Sequence, residues 1–249
     1  MRLNALAILV LGWAASASPV RAEGDAEAKK VIDKAIAAHG GEAELKKLND
    51  SSSKIKGTIH VMGLDIAFTG DVFGSGEDRA RVELELEIMN QKVSMVNVVN
   101  KDKGWLKFGG DTKELSKEQI DEAKEQAHST NVATLLPLKD KAYKVTLVGD
   151  EKVGDKDVTV IRVSKKDRRD VTLYIDKKTH LLIKQQTRVK DDMSGQEMDE
   201  ERFFTDYNEK GLRQPMKMTI KRDGKPYMEA EMSDLKTDEK FADSTFEKP

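Results

Sequence analysis

Through most of the chain after Ser52 the apolar residues recur at every second position, the repeat of a β-strand with one face buried. Val82-Glu83-Leu84-Glu85-Leu86-Glu87-Ile88 is the clearest case, with four apolar side chains on one face and three glutamates on the other. Carboxylates two apart could suggest an acid–base or metal cluster. On a strand they project in a row to one side, which fits a solvated outer face better. Ile55, Gly57, Ile59 and Val61 alternate in the same way, as do residues in later runs up to Tyr227–Leu235. Gly154-Asp155, Asp176-Lys177-Lys178, Ser194-Gly195 and Asp223-Gly224 supply the turns between runs. Short spacing between turn signals favours antiparallel meanders over β-α-β units. The pattern predicts about ten or eleven strands in an α+β, mostly β fold. So many strands cannot stay flat, because twist curls or closes the sheet.

Two segments break the repeat of two. Ala28, Val31, Ile32, Ala35 and Ile36 recur at helical spacing, predicting a helix over 26–39 that Gly40-Gly41 stops. A short helical turn is expected over 42–48. Ser116 with Gln119 forms a capping-box signature, and Ile120, Ala123 and Ala127 make a thin apolar stripe behind it. These helices are the elements available to cover the mouth of a curled sheet.

Met1-Arg2, the apolar run to Ala17 and the small residues of Val20-Arg21-Ala22 have the three parts of a secretory signal peptide in order. The run falls short of the roughly 18–20 apolar residues that span a bilayer. Cleavage is expected after Ala22, leaving residues 23–249 as one exported domain with no membrane span. The absence of cysteine removes disulfides, thiolate metal sites, a cysteine nucleophile and a cysteine-linked lipid anchor. With Lys plus Arg at 43 and Asp plus Glu at 45, no basic excess points to nucleic acid.

Motifs for catalysis are sparse. His39, His60, His128 and His180 are scattered, and neither a metalloprotease helix motif nor a nucleophile elbow is present. The glycine pairs lack the spacing of a phosphate-binding loop. No enzyme activity, cofactor or metal is expected. Six of the ten methionines do fall on expected strands: Met89, Met95, Met216, Met218, Met228 and Met232. Methionine fills irregular core gaps and equally lines surfaces that adapt to varied apolar ligands. Composition favours ordinary core packing; a curled sheet with such a lining could also hold an acyl chain.

Several stretches resemble the LolA-like proteins, the periplasmic carriers and sorting proteins of outer-membrane lipoproteins. They are His39-Gly40-Gly41 with Leu45-Lys46-Lys47-Leu48, Leu173-Tyr174-Ile175-Asp176-Lys177-Lys178-Thr179-His180-Leu181-Leu182, and Phe204-Thr205-Asp206-Tyr207 with Gly211-Leu212-Arg213-Gln214-Pro215. The resemblance implies a strongly curved antiparallel sheet, an unclosed half-barrel, with helices covering its concave face over a hydrophobic cavity. It implies a monomeric periplasmic protein that holds a lipid or lipoprotein acyl chain, or else an envelope sensor that docks a protein partner. Leu84, Leu86, Ile88, Met95, Trp105, Met216, Met218, Met228 and Met232 are then the candidate lining residues. Ile120, Leu135 and Leu136 are the candidate lid residues. The low aromatic content, 5%, departs from the aromatic-rich cavity of the carriers.

Overall fold

A computed structural model describes residues 19–191 and 195–249. The expected signal-peptide core, residues 1–17, lies outside the described residues, as does Ser194 of the expected turn. Helix α1 (Pro19–Ala38) starts before the expected position and runs through the expected cleavage point. Its buried residues Ala28, Ile32, Ala35 and Ile36 are the stripe read from the sequence. A short α2 (Glu42–Lys46) and a 3-10 turn (Lys47–Asn49) lead into the sheet.

The strands are β1 (Asp50–Val61), β2 (Leu64–Ser75), β3 (Arg79–Ile88), β4 (Gln91–Asn100), β5 (Lys103–Phe108) and β6 (Asp111–Glu114), then helix α3 (Lys117–Ala133). There follow β7 (Tyr143–Val153), β8 (Lys156–Lys165), β9 (Val171–Asp176), β10 (Leu182–Lys190), β11 (Glu197–Tyr207), β12 (Pro215–Arg222) and β13 (Lys225–Thr237). All thirteen belong to one antiparallel sheet in the order β6-β5-β4-β3-β2-β1-β13-β12-β11-β10-β9-β8-β7. The pairings run outward from β1 and β13, and the sheet does not close, leaving β6 and β7 as its edges. The count exceeds the expected ten or eleven. One strand the sequence hid is β6, whose Asp-Thr-Lys-Glu carries no apolar alternation. It forms because the Gly109-Gly110 turn brings it back against β5.

Helix α3 begins with the expected capping box: the Ser116 hydroxyl accepts from the Gln119 amide, and the Gln119 side chain accepts from the Ser116 amide at 2.9 Å. The main core lies between the helices and strands β7–β11. It joins Ile32, Ala35 and Ile36 of α1, Val132 of α3 and Leu135 to Val145, Ile161, Val163, Leu173 and Phe204.

Contacts between distant strands reveal how far the sheet curls. Glu77, in the β2–β3 turn, lies 3.7 Å from the Lys165 ammonium at the end of β8 and also meets Asn131 of α3. Lys124 of α3 pairs with Asp102 in the β4–β5 turn. Helix α3 therefore bridges the two wings of the sheet on the face that carries the core. Two glycines permit the curl within β1 and β2. A Cβ on Gly57 would meet the Glu229 carbonyl oxygen at 1.9 Å, and one on Gly70 would meet that of Glu83 at 1.9 Å. The Phe68 ring and the Leu84 side chain occupy the space above them.

On the opposite, convex face of β2–β5 the C-terminal tail folds back. Phe246, fully buried, packs with Val96, Val98, Phe73, Phe241 and Trp105. The Phe241 ring meets Phe246 edge-on at 5.5 Å, and the Arg79 guanidinium lies 5.2 Å from the Phe246 ring.

Candidate functional site

Residues paired directly across antiparallel strands point to the same face. Cross-strand register therefore traces what the concave face presents. One row runs Phe204, Met218, Ala230, Gly57, Phe68, Leu86 and Val93, from β11 to β4. The next row toward the turn of the β1–β2 hairpin runs Gln185, Arg202, Ile220, Met228, Ile59 and Ile66. On the other side lie Met232, Ile55, Gly70, Leu84, Met95 and Phe108. Six strand spacings of about 4.8 Å make the first row roughly 29 Å long. This is a continuous apolar track on the concave side.

The track is sheltered by curvature more than by helices. Phe68, Leu84, Leu86 and Ala230 are buried, and Ile55, Ile59, Ile66, Val82, Ile88, Met95 and Met228 are half-buried against them. No helix residue belongs to this cluster among the described residues. At its β11–β12 end the track continues into the main core through Phe204 and Met218.

The candidate residues from the sequence divide accordingly. Leu84, Leu86, Ile88, Met95 and Met228 come together in one cluster. Met218 and Met232 extend the same face by register, and Met216 lies two residues from Met218 on it. Trp105 does not join them. It pairs with Val98, and β4 alternates, so it faces the convex side under the tail. Leu135 sits in the main core with a positive φ of 67°, and Leu136 packs against that core from its edge. Ile120 is buried on α3. Sequence reasoning missed Phe68, Ile59, Ile66, Ile220 and Phe204 as lining residues. Their alternation was visible, but which face each strand turns inward depends on register.

Helix α3 rests on the sheet through polar contacts. Both oxygens of Glu122 take the Arg169 guanidinium, at 2.9 and 2.7 Å, and Glu122 also accepts the Lys190 amide at 2.9 Å. Burial alone would push this carboxyl up; Arg169 and the Lys190 amide hold it below its ordinary value. Glu125 accepts from Arg168 at 2.9 Å. Gln185, fully buried in β10, donates to the Ser129 carbonyl and hydroxyl at 2.7 and 2.8 Å.

The border of the track beside α3 carries charge. Glu200 is paired through one oxygen with Arg202 Nε at 2.8 Å and through the other with Arg222 Nε at 3.0 Å. Arg202 Nη1 donates to Thr130 of α3 at 3.1 Å, and the Arg222 guanidinium stacks 3.6 Å from the Tyr227 ring centroid.

Two buried histidines flank the core. Burial pushes His39 down, against the raising effect of the Ala35 carbonyl, to which its Nδ1–H donates at 2.7 Å. Burial likewise lowers His128, which stacks on Tyr143 with ring centroids 5.8 Å apart. Neither His128 ring nitrogen has a hydrogen-bond partner among the described residues. Both rings are neutral in the fold near pH 7.

Two clefts lie away from the track. One, of about 390 Å³, separates Glu27 and Lys34 of α1 from Asp150, Ile175 and His180. The other, of about 450 Å³, lies among Asp78, Arg79, Lys101 and Glu247. The Asp176 carboxylate at the first accepts from the Lys178 and Thr179 amides at 2.8 Å, so it serves the turn. Among the described residues no three His, Asp or Glu converge to hold a metal ion.

The MucB/RseB N-terminal domain model matches residues 85–211, half of the chain, from within β3 to beyond β11. The chain belongs to the MucB/RseB N-terminal domain family. No curated protein sequence matches it. Among solved structures, a LolA superfamily protein from Nitrosomonas europaea shares 13% identity at a TM-score of 0.55, over 89% of this chain and 97% of that one. An outer-membrane lipoprotein-sorting protein domain from Vibrio parahaemolyticus shares 13% identity at a TM-score of 0.54, over 88% and 97%. These likenesses are of fold, and they agree with the LolA-like resemblance of the sequence. The MucB/RseB match takes in Leu86, Met95, Phe204 and the Glu200–Arg202 pair, whereas β1, β2, β12 and β13 lie outside it.

Proposed function

We propose that this protein is an exported binding module that holds an acyl chain of a lipid or lipoprotein along the concave face, for carriage within the cell envelope. The observation that carries this reading is the apolar track, crossing seven strands from Phe204 to Val93 and lined by adaptable methionines at its margins. Its chemistry is physical: each methylene withdrawn from water contributes about 0.8 kcal/mol, and no bond is made or broken. The fold shared with LolA superfamily and lipoprotein-sorting proteins supports the same reading. Under it, residues 1–22 act as a signal peptide, and the protein works as a periplasmic monomer. The MucB/RseB match supports a second reading, in which the domain docks an envelope protein partner and transports no lipid.

Native mass spectrometry of the protein purified from a periplasmic extract without detergent separates the two. An adduct of lipid mass, lost in Met218→Asp or Met228→Asp while the protein stays folded, is the expected result. A clean apo mass that takes up neither fatty acid nor lipopeptide refutes the carrier reading.

A further inference from the structure

The seam where the two wings of the sheet meet is built around one histidine. Glu77, in the β2–β3 turn, reaches across from its own wing and is held from the far side by three groups. The Lys165 ammonium lies 3.7 Å from its carboxylate, the Tyr143 hydroxyl at the start of β7 donates to it at 3.5 Å, and Asn131 of α3 donates to it as well. Lys165 also donates to the Tyr143 hydroxyl at 3.0 Å and lies 4.5 Å from the centroid of that ring. Behind this cluster sits His128, one helical turn before Asn131 and so on the same side of α3. Its ring lies within 12° of parallel to Tyr143, and the residue is only 3% exposed. Neither ring nitrogen has a hydrogen-bond partner among the described residues.

A ring in this place is tolerated only while it is neutral. The titratable groups that face it are Glu125 on α3, Lys165 on β8, Arg168 between β8 and β9, Glu77 in the β2–β3 turn and Tyr143 on β7. The two carboxylates are already matched one to one, Glu77 with Lys165 and Glu125 with Arg168 at 2.9 Å. An imidazolium here adds a buried positive charge that neither carboxylate is free to offset. Burial accordingly holds the ring below its ordinary value. Water reaches the nitrogens only if the seam parts. Helix α3 is fixed to the β7–β11 wing by the Glu122–Arg169 pair, the Gln185–Ser129 bonds and Val132 in the core. The Glu77 side chain, 47% exposed, is the weaker attachment.

We propose that His128 is an acid-operated latch between the wings: protonating its ring parts the β2–β3 turn from α3 and the start of β7, and widens the gap that leads to the concave face. In the open form the hydrated ring titrates at about 6.5, whereas in the closed form it stays neutral to lower pH. The closed form therefore keeps its full advantage above about pH 6.5 and loses it below, by up to about tenfold in the closed-to-open ratio per pH unit. The latch works in this way whatever the concave face binds.

The chain contains no cysteine, so Asp78→Cys and Lys166→Cys, both at exposed positions, carry a pair of spin labels across the seam. Distances between the labels are measured by pulsed electron resonance on samples frozen between pH 7.5 and 5. One short separation is expected at pH 7.5, with a longer one gaining share toward pH 5 while circular dichroism stays unchanged. His128→Phe, which keeps a stacked ring but takes up no proton, should hold the short separation throughout. If that variant does not fold, His128→Gln replaces it with the same expectation. His39→Phe, which alters the other buried histidine, should open like the parent. A separation that ignores pH in the parent, an opening that persists in the His128 variant, or one that is lost in His39→Phe overturns the latch. Loss of the circular dichroism signal together with the short separation means global unfolding and overturns it equally.

Discussion

Replacing Gly57 by alanine tests the curl that creates the concave face. An alanine Cβ there would stand 1.9 Å from the Glu229 carbonyl oxygen of β13 and 2.9 Å from the Phe68 ring. Real Cβ contacts stay above 3.0 Å, so the β13 backbone must retreat by about 1 Å. Backbone cannot rotate aside as a side-chain tip can. Overpacking of this kind costs about 1–3 kcal/mol, and a ladder hydrogen bond stretched out of range adds about 1 kcal/mol. Reduced freedom of the unfolded chain returns about 0.4–1 kcal/mol. The net expectation is a loss of about 2–3 kcal/mol. Gly74→Ala is the internal control, because it lies in the paired strand β2 but a Cβ there meets nothing within 4 Å. It should be neutral or stabilise by up to about 1 kcal/mol. Urea unfolding followed by circular dichroism, with both variants at equal m-value, gives the comparison. Gly57→Ala unfolding within about 0.5 kcal/mol of Gly74→Ala would refute the close approach of β1 and β13, and with it the curved track.

Phe246→Ala removes a fully buried ring from the convex-face cluster and should cost about 3–5 kcal/mol, with Trp105 fluorescence shifting as its cover is lost. A change under about 1 kcal/mol in urea unfolding would mean that the tail does not seal that face. Stability should also fall as pH is lowered from 7.5 to 5. His39 and His128 are held below the ordinary histidine value by burial, so the unfolded chain takes up protons that the folded one refuses. Their contribution is complete above about pH 6.5 and is lost progressively below it. Glu122 and Asp176 are shifted downward, so they lose stability only in the more acidic carboxylate range. A urea midpoint that stays flat between pH 7.5 and 5 would contradict the buried, neutral state of both rings.

Periodicity was legible residue by residue. The stripe Ala28, Ile32, Ala35 and Ile36, the capping box of Ser116 and Gln119, and the alternation of Val82 to Ile88 each correspond to an element of the structure. Such features depend on neighbours within a turn or a strand, so local spacing suffices to specify them. The strand β6 was not legible, since a four-residue edge strand with no buried side has no pattern to offer. Trp105 and Met95 illustrate the other limit. Both lie on adjacent strands and both are large and apolar, yet one faces the tail and the other the track. A one-residue difference in register exchanges the faces of a strand, and register is set by pairing with partners far along the chain.

By itself the sequence determined the class of this protein: many short antiparallel strands, a helix at each of two breaks, no thiol chemistry and a segment of signal-peptide type. Those properties follow from composition and from interactions between residues a few positions apart. Only the tertiary structure decided that β1 pairs with β13, that Gly57 and Gly70 lie where a neighbouring strand's carbonyl leaves no room for a Cβ, and that Glu200, Arg202 and Arg222 meet beside an apolar row. These depend chiefly on contacts between strands, joining residues more than ten positions apart, whose strength comes from shared burial. Nothing in the local spacing of any one segment encodes them.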